Sequence, residues 1–357
     1  MPNLFTKSDA DRRKEGIGLQ KEYAEKRGRA LNKRDDNKIE LVKRTIEALA
    51  KKHNASLDQL AARSDKEGWK VVYDLISPEL RNSDLTINLE AESWFGKDEE
   101  NTYKTYATTY QKNLDKSTGK AVLKTQKNSQ GQITEDADSR MYADERVTIP
   151  DKWRDASFLH FQRRRLYKKM SVTKGKDIGE LKKVGLDNNQ EGFEVENRHF
   201  NPHAKQVFAA LNYAKRPHGS CVNYGYSHIV LKPELKRKAI YFPMDTFGVC
   251  VASNAVSQQC TYETLGAILA YCDSQMAETI WQTCFGRQRG ADTKEPFLLL
   301  EAHIFDEVRI NRDIEMLKLS RQLKGDQKLD GEKWQKVKRN AYAWGEKNNV
   351  RVFVMSA

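Results

Sequence analysis

The sequence predicts an α+β protein in which a helical N-terminal region precedes a mixed domain of strands and helices of unequal length. Three observations carry that prediction. Ile39, Leu41, Val42, Ile46, Leu49 and Ala50 recur at the spacing of one helix face. Ser220–Leu231 alternates, setting Val222, Tyr224, Tyr226, His228 and Val230 on one face of a strand and Asn223, Gly225, Ser227 and Ile229 on the other. Phe297–Leu300, just after Pro296, is a short, wholly apolar run of the kind that fills a central strand. No repeat of fixed period is present.

In chain order, residues 1–37 run from Lys7, Asp9, Asp11, Arg12, Arg13 and Lys14 to Arg34, Asp35 and Asp36 without apolar periodicity, and read as a charged leader. Residues 38–95 read as a small helical module. Asn54 or Ser56 caps its second helix, which carries Leu57, Leu60 and Ala61, and Val71, Val72, Leu75 and Ile76 extend the apolar stripe to Pro78. Residues 96–150 are dominated by Thr, Lys, Asn, Gln and Asp, are turn-like from Ser129 to Gly131, and read as a linker or loosely ordered segment. The mixed domain starts at 151, where Trp153, Phe158, Leu159, Phe161, Leu166 and Tyr167 bring apolar and aromatic residues back.

Within that domain the spacing of Val207, Phe208, Ala210 and Leu211 predicts a helix over Ala204–Tyr213. Lys232-Pro233-Glu234 ends the alternating strand, because proline cannot donate to a ladder, and Ala239–Phe242 restarts as another. Leu265, Ile268, Leu269, Cys272, Met276 and Ile280 have the period of a buried helix over Tyr262–Trp281. Ile310–Leu319 has helical spacing again, and Val350–Met355 alternates as a terminal strand.

Hydrophobic residues make up 38% of the chain and charged residues 31%, enough for a core whose sustained apolar runs fall in the second half. The net charge of +12 allows attraction to nucleic acid or an acidic surface. The basic residues are nevertheless interleaved with acids, and only Arg163-Arg164-Arg165 and Lys168-Lys169 form a dense run, which speaks against nucleic acid as the partner. Five cysteines, an odd number with no Cys-x-x-Cys, indicate neither a disulfide frame nor a zinc site and are expected as reduced thiols. There is no apolar leader and no run long enough to cross a bilayer, so export would use a route that reads no classical signal peptide. Gly-x-x-x-x-Gly-Lys, Gly-x-Gly-x-x-Gly and Gly-x-Ser-x-Gly are all missing, which removes support for P-loop, dinucleotide-fold and hydrolase-elbow chemistry.

Five of the seven histidines fall between Arg198 and His303, where tyrosines and arginines also gather. His199 and His203 are four apart, but Pro202 argues for a turn and no third ligand is spaced to join them, so no metal is expected. Glu301 follows three leucines directly, and a carboxylate at a buried strand end is expensive to desolvate unless something uses it. Arg198 or Arg216 can meet a phosphate as a charged fork, Ser227 on a strand can pin a neighbouring strand or a ligand, and Tyr224 or Tyr226 can stack on an aromatic ring. An arginine, a strand serine and a strand glutamate in that order suit chemistry at a nucleotide-linked ribose, with the carboxylate stabilising positive charge as it develops at C1′. The same spacing also suits a glutamate merely half-exposed at a strand end, so the residues alone leave the role open.

Two stretches carry a family resemblance. One comprises Ala209-Ala210-Leu211-Asn212-Tyr213, then Arg216-Pro217-His218-Gly219, then Tyr224 to Glu234; the other runs Glu301-Ala302-His303-Ile304-Phe305-Asp306-Glu307-Val308 and on to Arg312-Asp313-Ile314-Glu315. Together they resemble an uncharacterised bacterial domain family that is similar to ADP-ribosyltransferase toxins and effectors of the Arg-Ser-Glu kind. The resemblance spans roughly residues 195–320 and does not reach residues 1–150. It implies a split, two-sheet NAD-binding fold for a catalytic domain over 151–357, Glu301 as the catalytic carboxylate and Ser227 on the supporting strand. The first-strand arginine is either Arg163 or Arg198. Where the family has Gln two residues after the glutamate, this chain has His303, and where it has His-Gly it has Phe305-Asp306.

The resemblance therefore implies an NAD-dependent mono-ADP-ribosyltransferase, a secreted bacterial effector or toxin acting on a protein in the cytoplasm of a target cell, with NAD as co-substrate and no metal. Glu301 and His303 are its candidate catalytic residues; Arg163, Arg198, Arg216, Tyr224, Tyr226 and Ser227 are its candidate NAD contacts. A rival expectation from another class is a non-catalytic basic protein that binds nucleic acid or an acidic protein.

Overall fold

The computed structural model describes residues 31–96, 207–243, 259–286, 299–306, 308–323 and 327–355, with scattered positions between 11 and 29 and two short strands at 125–127 and 133–135. The chain clusters into two compact units. One comprises Ala24–Tyr103, Val207–Asp245 and Gln258–Ala357, and the other Met1–Tyr23, Lys104–Gln206 and Thr246–Ser257. In the second unit, strands β2 (Thr125–Lys127) and β3 (Ile133–Glu135) pair antiparallel, with Lys127 opposite Ile133 on either side of the turn-like Ser129–Gly131 stretch.

The first unit is built on an eight-stranded sheet. Its strands are β1 (Leu85–Leu89), β4 (Val207–Leu211), β5 (Ser227–Leu231), β6 (Ala239–Phe242), β7 (Cys260–Thr261), β8 (Glu301–Ile304), β9 (Ile314–Leu319) and β10 (Arg351–Val354). They lie in the order β10-β9-β5-β1-β4-β8-β6-β7. Among the described strands only β9 and β10 run parallel. The α+β class therefore holds. The described strands join in one sheet rather than two, but the join is narrow. β1 pairs with β5 from Leu85↔Leu231 to Leu89↔Ser227, whereas it pairs with β4 only at Leu85↔Leu211 and Thr86↔Ala210. Two four-stranded halves thus meet at a seam two residues long.

The helices come mostly from the N-terminal segment and the stretch before β8. Helix α1 (Asp36–Lys52) is capped by Asp35 and buries Val42, Ile46, Leu49 and Ala50, while Ile39 and Leu41 of the expected stripe are exposed. Ser56 caps α2 (Leu57–Ala61) by accepting from the Gln59 amide at 3.2 Å. Helix α3 (Gly68–Asn82) runs through Pro78 and buries Val72, Ile76 and Leu80. Fully burying side chains such as Ile46 and Ile76, both 0% exposed, stabilises the fold by roughly 1.5–3 kcal/mol each. After β1 comes α4 (Ala91–Phe95). Residues 38–95, expected as a helical module, thus also supply β1, a strand at the middle of the sheet that the helical reading overlooked.

Further corrections share a physical origin in short apolar runs. Ala204–Tyr213 was expected as a helix, but Val207–Leu211 is β4, because a five-residue apolar run has no periodicity to separate a strand from a buried helical turn. The alternating strand starts only at Ser227; Val222–Tyr224 form a 3-10 turn followed by Gly225 at φ 130°. Tyr262–Trp281 divides into a 3-10 helix over Leu265–Ala270, packed against α1 and α3, and α5 (Ser274–Phe285). The break is set by Asp273, whose carboxylate caps α5 through the Met276 amide at 2.7 Å. The apolar run expected as a strand at 297–300 leads into β8, which begins one residue later.

Ile310–Leu319 is a short helical turn, α6 (Ile310–Asp313), followed by β9. A bulge explains the misleading spacing: Val230 faces Met316 but Leu231 faces Ile314, so Glu315 is the extra residue. Ile314 and Leu317 then point the same way at a separation that mimics a helix. Helix α7 (Gly331–Asn348), for which no expectation was formed, is capped by Asp330 and ended by Asn349 at φ 54°. It packs on α4, with Trp344 edge-on to Phe95 at 5.7 Å and Asn340 Nδ2 donating to the Phe95 carbonyl at 2.8 Å.

Candidate active site

Glu301 is the first residue of β8 rather than the last of a strand, and β8 lies between β4 and β6. Residues two apart share a strand face, and here they meet: His303 Nε2 is 2.9 Å from Glu301 Oε1. An ionised carboxylate only accepts, so the imidazole donates. Both groups are withdrawn from water, Glu301 at 5% and His303 at 1% exposure. The His303 ring is edge-on to Phe208, centroid to centroid 4.6 Å, and tilted against Phe242 at 4.4 Å. These aromatics arrive by register, Phe208 opposite His303 on β4 and Phe242 opposite Glu301 on β6. The structure thus brings the two candidate catalytic residues together in an apolar surround. A carboxyl and an imidazole placed this way can position one another through a hydrogen bond in a site withdrawn from water.

The register also shows what shares that face. Glu301 is opposite Ala210, Ala210 opposite Thr86 and Thr86 opposite Val230, so Asn88 and His228 lie on the face of Glu301 and His303. Ser227 is opposite Leu89 and falls on the other face, with Ile229, Leu231 and Ala302. Its hydroxyl accepts from the Ser320 amide at 2.9 Å and ties β5 to the end of β9. Ser227, a candidate NAD contact on the supporting strand, is thus placed on the sheet face opposite Glu301. Of its two alternatives, pinning a strand is what the hydroxyl does.

Residues 218–225 form a loop over β1 and β5, fastened by a residue that sequence reasoning missed. Asn88 Nδ2 donates to the carbonyls of His218 at 2.7 Å and Gly225 at 2.8 Å, and Asn88 Oδ1 accepts from the Cys221 amide at 3.0 Å. Ser220 adds two ties near the seam, its amide donating to Thr86 Oγ1 at 3.2 Å and its hydroxyl to the Leu211 carbonyl at 2.9 Å. Tyr224 stands half exposed at 51% on this loop, and Tyr226 is edge-on to His218 at 5.2 Å. The signal for Asn88 was present in Leu85-Thr86-Ile87-Asn88-Leu89, which alternates apolar and polar as a strand does.

Arg163 and Arg198, together with His199 and His203, lie outside the described residues. Arg216 is buried in the turn after β4. Asn212 brackets it, accepting from its amide at 2.9 Å and donating to its carbonyl at 2.8 Å. Beyond β8, Asp313 accepts from the Arg309 amide at 2.7 Å and from Arg312 Nε at 2.6 Å, so the Arg312-Asp313 pair fixes the turn into β9. Among the described residues Cys221, Cys260, Cys272 and Cys284 are free thiols, and burial pushes the Cys260 thiol up to about 11. No group of three His, Cys, Asp or Glu among the described residues is placed to hold a metal, and no described helix is long and apolar enough to cross a membrane. Comparison of the chain with protein-family models and with curated proteins finds no match.

Proposed function

We propose that the chain is an NAD-dependent mono-ADP-ribosyltransferase that modifies a protein, with Glu301 as its catalytic carboxylate and His303 holding that carboxylate in place. The observation that carries the reading is the Glu301–His303 pair, buried on a central strand and 2.9 Å apart. The narrow seam between β1 and β4 supports it as well, since a sheet joined over two register pairs is close to the split fold that the resemblance implies.

The reading calls for a positively charged nicotinamide nucleotide beside Glu301. Glu301 supplies the negative charge, and Phe208 and Phe242 pack against His303 and so hold the pair in place. Transfer breaks the bond from ribose C1′ to the nicotinamide nitrogen and forms one from C1′ to the acceptor's nucleophile, whose proton is released. Glu301 stabilises the positive charge that develops at C1′, and His303 holds the carboxylate in position through its 2.9 Å contact. Ser227 is assigned no part in this step. The secreted effector acting in a target cell's cytoplasm remains part of the proposal, carried by the resemblance.

The test is nicotinamide release from NAD by the full chain and by Glu301→Gln, which keeps an acceptor oxygen for His303. Release that falls at least a hundredfold in the variant supports the reading. Equal release from both sinks the role of Glu301. If neither protein releases nicotinamide, salt-sensitive binding to nucleic acid or an acidic protein becomes the favoured account.

A further inference from the structure

His228 sits in β5 at 0% exposure, and neither of its ring nitrogens has a hydrogen-bond partner. Leaving buried polar nitrogens unpaired is destabilising, a penalty that phenylalanine in the same place would not carry. The ring is walled by Asn88 on β1 and Lys318 on β9, both directly opposite in register, and roofed by the 218–225 loop. The roof is close: a Cβ on Gly219 would lie 2.8 Å from the His228 ring, and Gly219 itself is at φ 81°.

The charged groups acting on His228 are Lys318 and His218, both of which oppose a second positive charge. Asp84 stands 3.9 Å from the Lys318 amine as its counter-charge. From the remaining walls come Asn88, which is uncharged and has its amide bonded to the loop, and Tyr226, which packs on His218. Protonated His228 therefore lacks a counter-ion among the described residues, at a position with no exposed surface.

The walls differ in how firmly they are held. β1 is tied to β5 by register pairs along its whole length, and β9 along four positions. The loop is held by the three Asn88 bonds and the two Ser220 bonds, and its ends are glycines at positive φ, Gly219 at 81° and Gly225 at 130°. Such residues absorb backbone rotation readily. The weakest wall is the one that lifts.

We infer that His228 is an acid-sensitive latch: protonation of its imidazole releases the 218–225 loop from β1 and β5 and opens the seam side of the sheet. The device stands apart from the transferase reading and would operate whatever the chemistry at Glu301. Burial holds the closed-state imidazole down at about 3, against an ordinary 6.5. A lowered histidine value means that the closed loop is fully favoured above the ordinary value and loses that advantage as pH falls below it. Between pH 7 and pH 5 the open population rises by roughly twenty-fold by this linkage.

The test is amide hydrogen exchange on the full chain between pH 8 and pH 5, corrected for the intrinsic pH dependence of exchange. It is read at peptides holding Ser220 and Cys221, with β8 as the internal control. The expected result is a loss of loop protection of about twenty-fold from pH 7 to pH 5, unchanged protection in β8, and no pH response in His228→Phe. A pH-independent loop in the unaltered protein, or a response that survives His228→Phe, overturns the latch. If that variant does not fold, imidazole carbon resonances of the unaltered protein decide the matter. Protonation of His228 in step with loop exchange supports the latch, and titration near 6.5 with the loop still protected overturns it.

Discussion

The imidazole of His303 reaches the carboxylate of Glu301 over 2.9 Å at a point where both side chains are shut off from water. Each makes the other tolerable there. Removing one partner of a buried pair leaves a polar or charged group uncompensated, which costs about 3–5 kcal/mol, whereas replacing both by apolar groups is close to neutral. His303→Leu is therefore expected to lower stability by about that amount, and Glu301→Leu with His303→Leu to recover most of it. Urea unfolding of the single and double variants measures the coupling. Additive losses would show that the two residues do not act as a pair.

Asn88 is the fastening of the 218–225 loop. Asn88→Ala deletes three hydrogen bonds and leaves two carbonyls and an amide to find other partners. At about 1 kcal/mol for each bond, the expected loss is about 2–3 kcal/mol. Asn88→Asp keeps the acceptor for Cys221 but sets a carboxylate oxygen against the His218 and Gly225 carbonyls, so it should fall below alanine. Denaturation midpoints rank the three, and an alanine variant as stable as the unaltered chain would remove Asn88 from this role.

At the helical layer, Glu278 of α5 meets His53 Nε2 at 2.8 Å and Lys52 Nζ at 2.9 Å, while the His53 ring stacks on Trp281 at 5.5 Å. Burial pushes the Glu278 carboxyl up, but the Gln282 amide, Lys52 and His53 together hold it below the usual carboxylate range. A lowered carboxylate value gives stability that is present above the unfolded-state value and is lost as pH falls through the folded-state one. Glu278→Gln is therefore expected to weaken α1–α5 docking at pH 7 by less than about 1 kcal/mol, because the site is partly exposed. It should also flatten the acid limb of the stability profile below the ordinary value of 4.5. Thermal unfolding between pH 7 and pH 3 reads both effects, and an unchanged acid limb would count against the tie.

Much of this architecture was legible where sequence signals were local. The Ser56 cap, the end of β5 before Pro233, the bounds of β6 and the terminal β10 all follow from turn chemistry or alternation. The misread elements are those whose state depends on distant partners. Val207–Leu211 is a strand because β1 and β8 flank it, and Ile314 falls out of alternation because of a bulge opposite Leu231. At the site, Glu301 was visible as a carboxylate directly after three leucines, and His303 entered through the resemblance; two-residue spacing on a strand brings them together. The face that Ser227 occupies relative to Glu301 was not legible, because it is set by register across β1 and β4, which no local pattern reveals.

The most direct measurement of the central proposal is incubation of the purified full chain with a tagged NAD analogue and a cell lysate, beside folded Glu301→Gln. The account predicts labelled protein bands with the unaltered chain and at least a hundredfold less label with the variant. Label of equal strength in both, or none in either together with no nicotinamide release, would contradict it.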